Sequence, residues 1–264
     1  MVEPFDITTL EDMARASGVD LIAIVQDYAV SAVLEFLIKQ GLTSSLVFKG
    51  GTAIKKVYFP DARFSVDLDF DSIYFVDNPE DRKRIFFSTL RRIMDVPLGS
   101  IVVYEVEPIL SSAWLFYNVK YRFFDIEEMT RIDIDYGPAK GNFVSMQITF
   151  APYSSERLRI NVYPIETILE QKIIALLDRT SAKDLWDIYF LVVIKNVQPV
   201  KNLREIVMHY DPEFNLRKIL FIINEIVSRS DFAIVRDIYL PAKYKDIDYD
   251  TVRKEVSRII EDFW

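Results

Sequence analysis

Residues 46–70 read LVFKGGTAIKKVYFPDARFSVDLDF, and the rest of the chain falls into place around them. Leu46-Val47-Phe48 is a short apolar run of the kind that forms a buried strand. Lys49, the pair Gly50-Gly51 and Thr52 follow. Then comes a segment with helical spacing (Ala53, Ile54, Val57, Tyr58), which Pro60 and Asp61 bring to an end. From Ser65 to Asp71 polar and apolar residues alternate, which predicts a second strand. Glycine is scarce, 7 in 264 residues, well below the usual ~7%. Two in a row at a strand-to-helix junction therefore mark a place where a Cβ is not tolerated. A tight turn suffices to explain them; the alternative is close approach of the backbone to a phosphate, with N–H groups of the helix start pointing at the anion.

Strand alternation puts Asp67, Asp69 and Asp71 on one face and Val66, Leu68 and Phe70 on the other. Carboxylates two residues apart repel unless water screens them or a cation lies between. One reading is the solvated face of an antiparallel strand. The other is a pair of hard oxygen ligands for Mg²⁺, which takes one or two carboxylates and leaves the rest of its shell to water and substrate phosphates. A phosphate cradle followed at once by a metal-ligand pair makes a nucleoside triphosphate site.

The order Lys49-Gly50-Gly51-Thr52, a short helix, then Arg63-Phe64-Ser65 leading into Asp67-Leu68-Asp69-Phe70 resembles the AbiEii/AbiGii toxin family, within the polymerase-β-like nucleotidyltransferase superfamily. There a G-[GS]-[ST] turn is followed by D-x-D on the next strand and a third carboxylate on a later one. In Arg131-Ile132-Asp133-Ile134-Asp135-Tyr136, Asp133 and Asp135 again share one face. The family's basic-apolar-acid-apolar order matches Asp133 best, with Asp135 second. Glu105 and Glu107 form another alternating acid pair, so the pattern alone is not rare in this chain. Glu170, Lys172, Arg179, Lys183, Asp184 and Asp187 have the spacing of the family's second signature, with Lys183 where relatives usually carry arginine. The resemblance covers about residues 46 to 194.

The whole chain has 50% hydrophobic and 14% aromatic residues, enough for a substantial core. It has no cysteine, which excludes disulfides and thiolate metal sites and fits a reducing cytoplasm. No uninterrupted apolar run of ~18 residues predicts a membrane span, and the N-terminus lacks the basic-then-apolar order of a signal peptide. The net charge of −8 argues against a surface coated in basic residues for nucleic acid, while leaving room for a local basic groove. The single histidine, His209, has no partner at ligand spacing, so zinc sites and Ser-His-Asp chemistry are not expected.

Taken in order, 5–17 and 19–40 read as helices, the second ended by Gly41. Asn78-Pro79-Glu80-Asp81 reads as the start of a helix to about Met94. It carries Arg82, Lys83, Arg84, Arg91 and Arg92, either a solvated face or a contact for an RNA backbone. Strands are expected at 101–107, 113–123, 130–136, 143–150 and 157–162, with turns at Gly137-Pro138 and Lys140-Gly141-Asn142. Pro164 marks a boundary. The expected fold is α/β (α+β), a domain over 1–163 and a helical C-terminal domain over 164–264. Lys172 falls within the apolar stripe of Ile165, Ile168, Leu169 and Leu176, so it must snorkel, pair or face a cleft. An ion pair from Arg179 to Asp184 or Asp187 would splice two helices.

The resemblance implies a polymerase-β-like domain with a mixed sheet, and a nucleotidyltransferase that uses two Mg²⁺ ions and a nucleoside triphosphate. It makes Asp67, Asp69 and Asp133 the metal ligands. The backbone of Gly50, Gly51 and Thr52 would hold the β- and γ-phosphates, and Lys49, Lys172 and Arg179 would neutralise them. Asp184 or Asp187 would orient the triphosphate or the acceptor. It implies the toxin of a toxin–antitoxin or phage-defence pair, with an antitoxin partner, no membrane, and in some relatives the 3′ end of tRNA as acceptor. A protein or small-molecule acceptor, or a nucleotide-binding regulator without turnover, are the alternatives.

Overall fold

A computed structural model describes residues 2–73, 79–110, 114–138, 141–199 and 202–264. Asp6 caps helix α1 (Ile7–Ser17) by accepting from the Thr9 N–H at 2.8 Å, and Gly18 ends it in the left-handed region. Asp20 does the same for α2 (Leu21–Lys39), accepting from Ile22 N–H at 2.8 Å. Every residue of α2 from Ala23 to Leu37 is buried. A helix apolar all round belongs in a core, and the two acids along it are neutralised. The Asp27 carboxylate lies 2.8 and 2.9 Å from Lys56 Nζ, and Glu35 lies 2.7 Å from Lys39 Nζ. By length and composition α2 could cross a membrane, yet 83% of its apolar window is buried inside the fold.

Among the described residues, seven strands form one mixed sheet: β1 (Leu46–Lys49), β2 (Leu68–Ser72), β3 (Val102–Leu110), β4 (Trp114–Phe123), β5 (Ile126–Pro138), β6 (Val144–Ile148) and β7 (Leu158–Val162). Their order is β3-β4-β5-β2-β1-β7-β6. The centre is where chain direction is mixed: β1 runs antiparallel to β2, while β2 runs parallel to β5 and β1 parallel to β7. Helix α3 (Gly50–Ala53), prolonged by a π-helical turn (Ile54–Tyr58), joins β1 to β2. Leu68, Phe70, Ile132 and Ile134 are buried along these central strands, and the Phe48 and Phe70 rings lie 5.1 Å apart.

The structure corrects three sequence-based expectations. The second strand starts at Leu68 rather than Ser65, because the Asp67 carbonyl is taken by the Thr52 hydroxyl at 2.5 Å instead of by a neighbouring strand. Gly137-Pro138 is not a turn; β5 runs through both. The basic helix is α-helical only over Pro79–Leu90 (α4) and tightens to a 3-10 turn over Arg91–Asp95. Its expected cap Asn78, and Lys140 of the second turn, lie outside the described residues.

The chain divides into two compact units, Met1–Tyr163 and Pro164–Trp264. The second is helical: α5 (Ile165–Arg179), α6 (Ala182–Tyr189), α7 (Leu203–Tyr210, which carries His209), α8 (Leu216–Phe221), α9 (Arg229–Ile234) and α10 (Tyr249–Phe263). Its core is built on Trp186, whose ring lies 5.8 Å from Tyr244 and 6.3 Å from Phe232. Val252, Val256, Ile259 and Ile260 of α10 are buried at helical spacing, each worth about 1.5–3 kcal/mol against full exposure.

Candidate active site

Sheet register assembles the acidic cluster. Lys49 of β1 stands opposite Asp69 of β2, and Asp69 stands beside Asp133 of β5. Cross-strand partners point to the same face, so an ammonium and two carboxylates form one row. The next pairing places Asp71 beside Asp135. Asp133, and not Asp135, is therefore the neighbour of Asp69.

The glycine pair makes this row possible. Gly50 has φ +77°, and a Cβ there would lie 2.1 Å from Asp69 Oδ2 and 3.1 Å from the Asp69 Cβ. A Cβ on Gly51 would lie 2.8 Å from Ser65 Oγ and 2.9 Å from an Arg63 guanidinium nitrogen. Both missing side chains are filled by groups from the approach to β2 or from β2 itself. The turn and the aspartate strand are thus seated in each other, and Thr52, through Asp67, ties the two together.

Asp133 carries the electrostatic signature. Its carboxyl is pushed up to about 7, first by burial, then by the Asp69 charge; Asp67 adds to the push, and Arg131 opposes it. Arg131 Nε is 2.8 Å from Asp133 Oδ1, but that buried oxygen has no hydrogen bond. The guanidinium is close but out of line, so the contact is electrostatic rather than a directed bond. Carboxylates crowded this way lack positive charge. Among the described residues no group of three or more His, Cys, Asp or Glu side chains is disposed to hold a metal ion. Mg²⁺ needs only one or two carboxylates, and an under-satisfied Asp133 oxygen beside Asp69 is the donor type it takes.

Behind the row, buried Asp71 accepts from Lys49 Nζ and, at 2.7 Å, from the Tyr163 hydroxyl. Lys49 is therefore held by a carboxylate at the start of the glycine turn. Tyr163 carried no local sequence signal; the parallel pairing of β1 with β7, which it follows directly, brings it in. Arg131 was visible only as the basic residue of the Asp133 motif.

The remaining predicted residues form a cluster of their own in the second unit. Lys172 Nζ lies 2.8 Å from Asp184 and 2.8 Å from Asp187, and both its Nζ and the Arg179 guanidinium donate to Asp184. Lys172, Asp184 and Asp187 are all buried. Lys172 thus pairs. Burial alone would raise the Asp184 carboxyl, but Lys172 and Arg179 together hold it well below the usual carboxylate range. Ser181 caps α6, so Asp184 sits in the first turn of that helix, where a negative charge is favoured.

The profile of the family described as nucleotidyl transferase AbiEii toxin, type IV TA system, matches residues 32–259. No curated protein matches the chain. Among solved structures, JHP933 from Helicobacter pylori is 19% identical, with 93% of each chain covered and a TM-score of 0.55. MenT4, a nucleotidyltransferase toxin from Mycobacterium tuberculosis H37Rv, is 18% identical, with 98% of this chain and 97% of that one covered and a TM-score of 0.55. At these identities the likeness is one of fold.

Proposed function

This chain belongs to the AbiEii family of nucleotidyl transferase toxins and is a nucleotidyltransferase; from that premise we propose that Asp67, Asp69 and Asp133 form its catalytic carboxylate cluster. The observation that carries the reading is Asp133, half-buried beside Asp69, with an enclosed oxygen that Arg131 meets as an ion pair but not as a directed hydrogen bond. The acceptor hydroxyl attacks the α-phosphorus of a nucleoside triphosphate. A new O–P bond forms, the bond to the bridging oxygen breaks, and pyrophosphate leaves with its electron pair. Magnesium held by these carboxylates would supply the charge that steadies the triphosphate and acidifies the attacking hydroxyl.

The chain's own groups do the positioning. The Gly50–Thr52 backbone receives the β- and γ-phosphates, and Lys49, fixed by Asp71, lies beside them. Lys172 and Arg179 are the further phosphate ligands the family resemblance implies, and Asp184 or Asp187 would orient the triphosphate or the acceptor. The same resemblance makes RNA, and the 3′ end of tRNA first, the acceptor to test. The family description, a toxin of a type IV toxin–antitoxin system, supports an antitoxin partner, and a phage-defence role is part of the same proposal.

Incubation with α-labelled nucleoside triphosphates, Mg²⁺ and total RNA tests this directly. Label should enter RNA, and Asp69→Ala or Asp133→Asn should lower incorporation by roughly 10²-fold or more. Label confined to protein would move the acceptor to a protein side chain. Full activity in Asp133→Asn would remove the carboxylate cluster from the chemistry.

A further inference from the structure

A cavity of about 390 Å³ lies in the first unit and includes none of the clustered aspartates in its lining. Its size is that of ordinary small-ligand sites. Its walls come from α1, α2, the π-helical turn after α3, Phe64 and residues 149–153, and most of the lining is apolar, as at Met13, Ile24 and Phe64. Three lining residues are charged: Asp27, Lys55 and Lys56. Asp27 and Lys56 neutralise each other at 2.8 and 2.9 Å.

Lys55 is different. It is 8% exposed, and its Nζ donates to the Pro60 carbonyl at 3.0 Å and the Ala62 carbonyl at 3.2 Å, lying 3.8 Å from the centroid of the Phe64 ring. Among the described residues no carboxylate stands within ion-pair distance of it. An ammonium has three N–H donors, so one donor is left over after the two carbonyls, in a wall that is mostly apolar. The Phe64 ring and the more distant Asp27 and Asp61 charges offset part of the burial cost; an anion in direct contact would offset more of it.

We propose that this cavity is a second binding site, for a small amphipathic anion whose carboxylate or phosphate headgroup meets Lys55 while its apolar body fills the space under α1 and α2. The inference does not depend on the catalytic reading. Burial lowers the Lys55 ammonium only to about 8, so it keeps its charge at neutral pH. Asp27 is already engaged, so the wall carries a net positive charge and selects against cations.

Calorimetric titration of the full chain with octanoate, octyl phosphate, 1-octanol and octyltrimethylammonium tests it. Octanoate or octyl phosphate should bind saturably at one per chain, and the tighter of the two identifies the headgroup. Octanol and the cation should bind at least tenfold more weakly. Lys55→Met should weaken the anion at least tenfold, and Met13→Trp, which enlarges a half-buried wall residue of α1 while keeping the lysine, should weaken it at least as much. Asp69→Ala should leave it unchanged. Equal binding of octanol, undiminished binding in Met13→Trp, or no saturable binding of either anion would overturn the proposal. Met13→Trp keeps the test decisive if Lys55→Met does not fold.

Discussion

Asp133 concentrates the physics of the site in one side chain. Its folded pKa, about 7, lies above the unfolded value of about 3.9. Between those values the folded state binds more protons than the unfolded one, so this group's contribution to stability falls as pH rises from 4 to 7. Asp133→Asn should therefore stabilise the protein at pH 8 in the presence of chelator, by about 2 kcal/mol after allowance for screening, and have little effect at pH 4. Urea denaturation at the two pH values measures this. Mg²⁺ at the proposed cluster would displace that proton, so it should raise the melting temperature more at pH 8 than at pH 5.5, and by less in Asp133→Asn. Gly50 is the complementary test. Gly50→Ala combines an unfavourable positive φ with a Cβ driven into Asp69, and should cost about 1–3 kcal/mol in the same assay.

At the scale of elements, α5 and α6 are joined through charge. Lys172 reaches across to two buried carboxylates, and Arg179 closes the far side of Asp184 while leaving its own side chain 58% exposed. Lys172→Met would leave those carboxylates buried without their shared cation, at about 3–5 kcal/mol. Arg179→Ala, removing an exposed partner, should cost about 1 kcal/mol. Because Asp184 is held below its unfolded value, its stabilising contribution is present above about pH 4 and is lost as pH falls further. Chemical denaturation of the two variants at pH 7 gives the ranking; equal losses would refute it.

The same elements show how much could be read in advance. The acid pairs were legible because alternation fixes the face of each side chain from local sequence alone, whether or not the strand's bounds are right. The start of β2 was not legible, since the Thr52 hydroxyl competes for the backbone of Asp67 from across a turn. Nor was the Lys49–Asp71–Tyr163 arrangement, because it depends on a parallel pairing between distant strands. The pairing of Asp69 with Asp133 needed the strand order, which periodicity does not supply. Gly137-Pro138 misled for the opposite reason: turn-forming residues lie inside a strand whose pairing with β2 shifts register near them.

Across the whole molecule, α2 decides how the first unit stands in water. It has the composition of a membrane span and the burial of a core helix, and the charges it buries, Asp27 and Glu35, are each paired with a lysine. Val30→Lys should take the chain out of the soluble fraction, since an unpaired buried ammonium is among the most costly single changes. In flotation with lipid vesicles the unaltered chain should stay with the aqueous layer; flotation with the vesicles would contradict the packing of α2 against the sheet.

The hollow at Gly50 and the carboxylate of Asp69 occupy a single volume, so these two positions are bound to one another through time as well as in space. The order of drift is constrained: a bulkier residue at the bend displaces the acid, and loss of the acid lifts the steric restraint while the positive φ of Gly50 still disfavours a side chain. A descendant that abandoned its chemistry would take first a residue that tolerates that backbone, such as Asn or Asp. Such a descendant would be recognised by a side chain at the bend matched with a smaller, uncharged residue on the neighbouring strand.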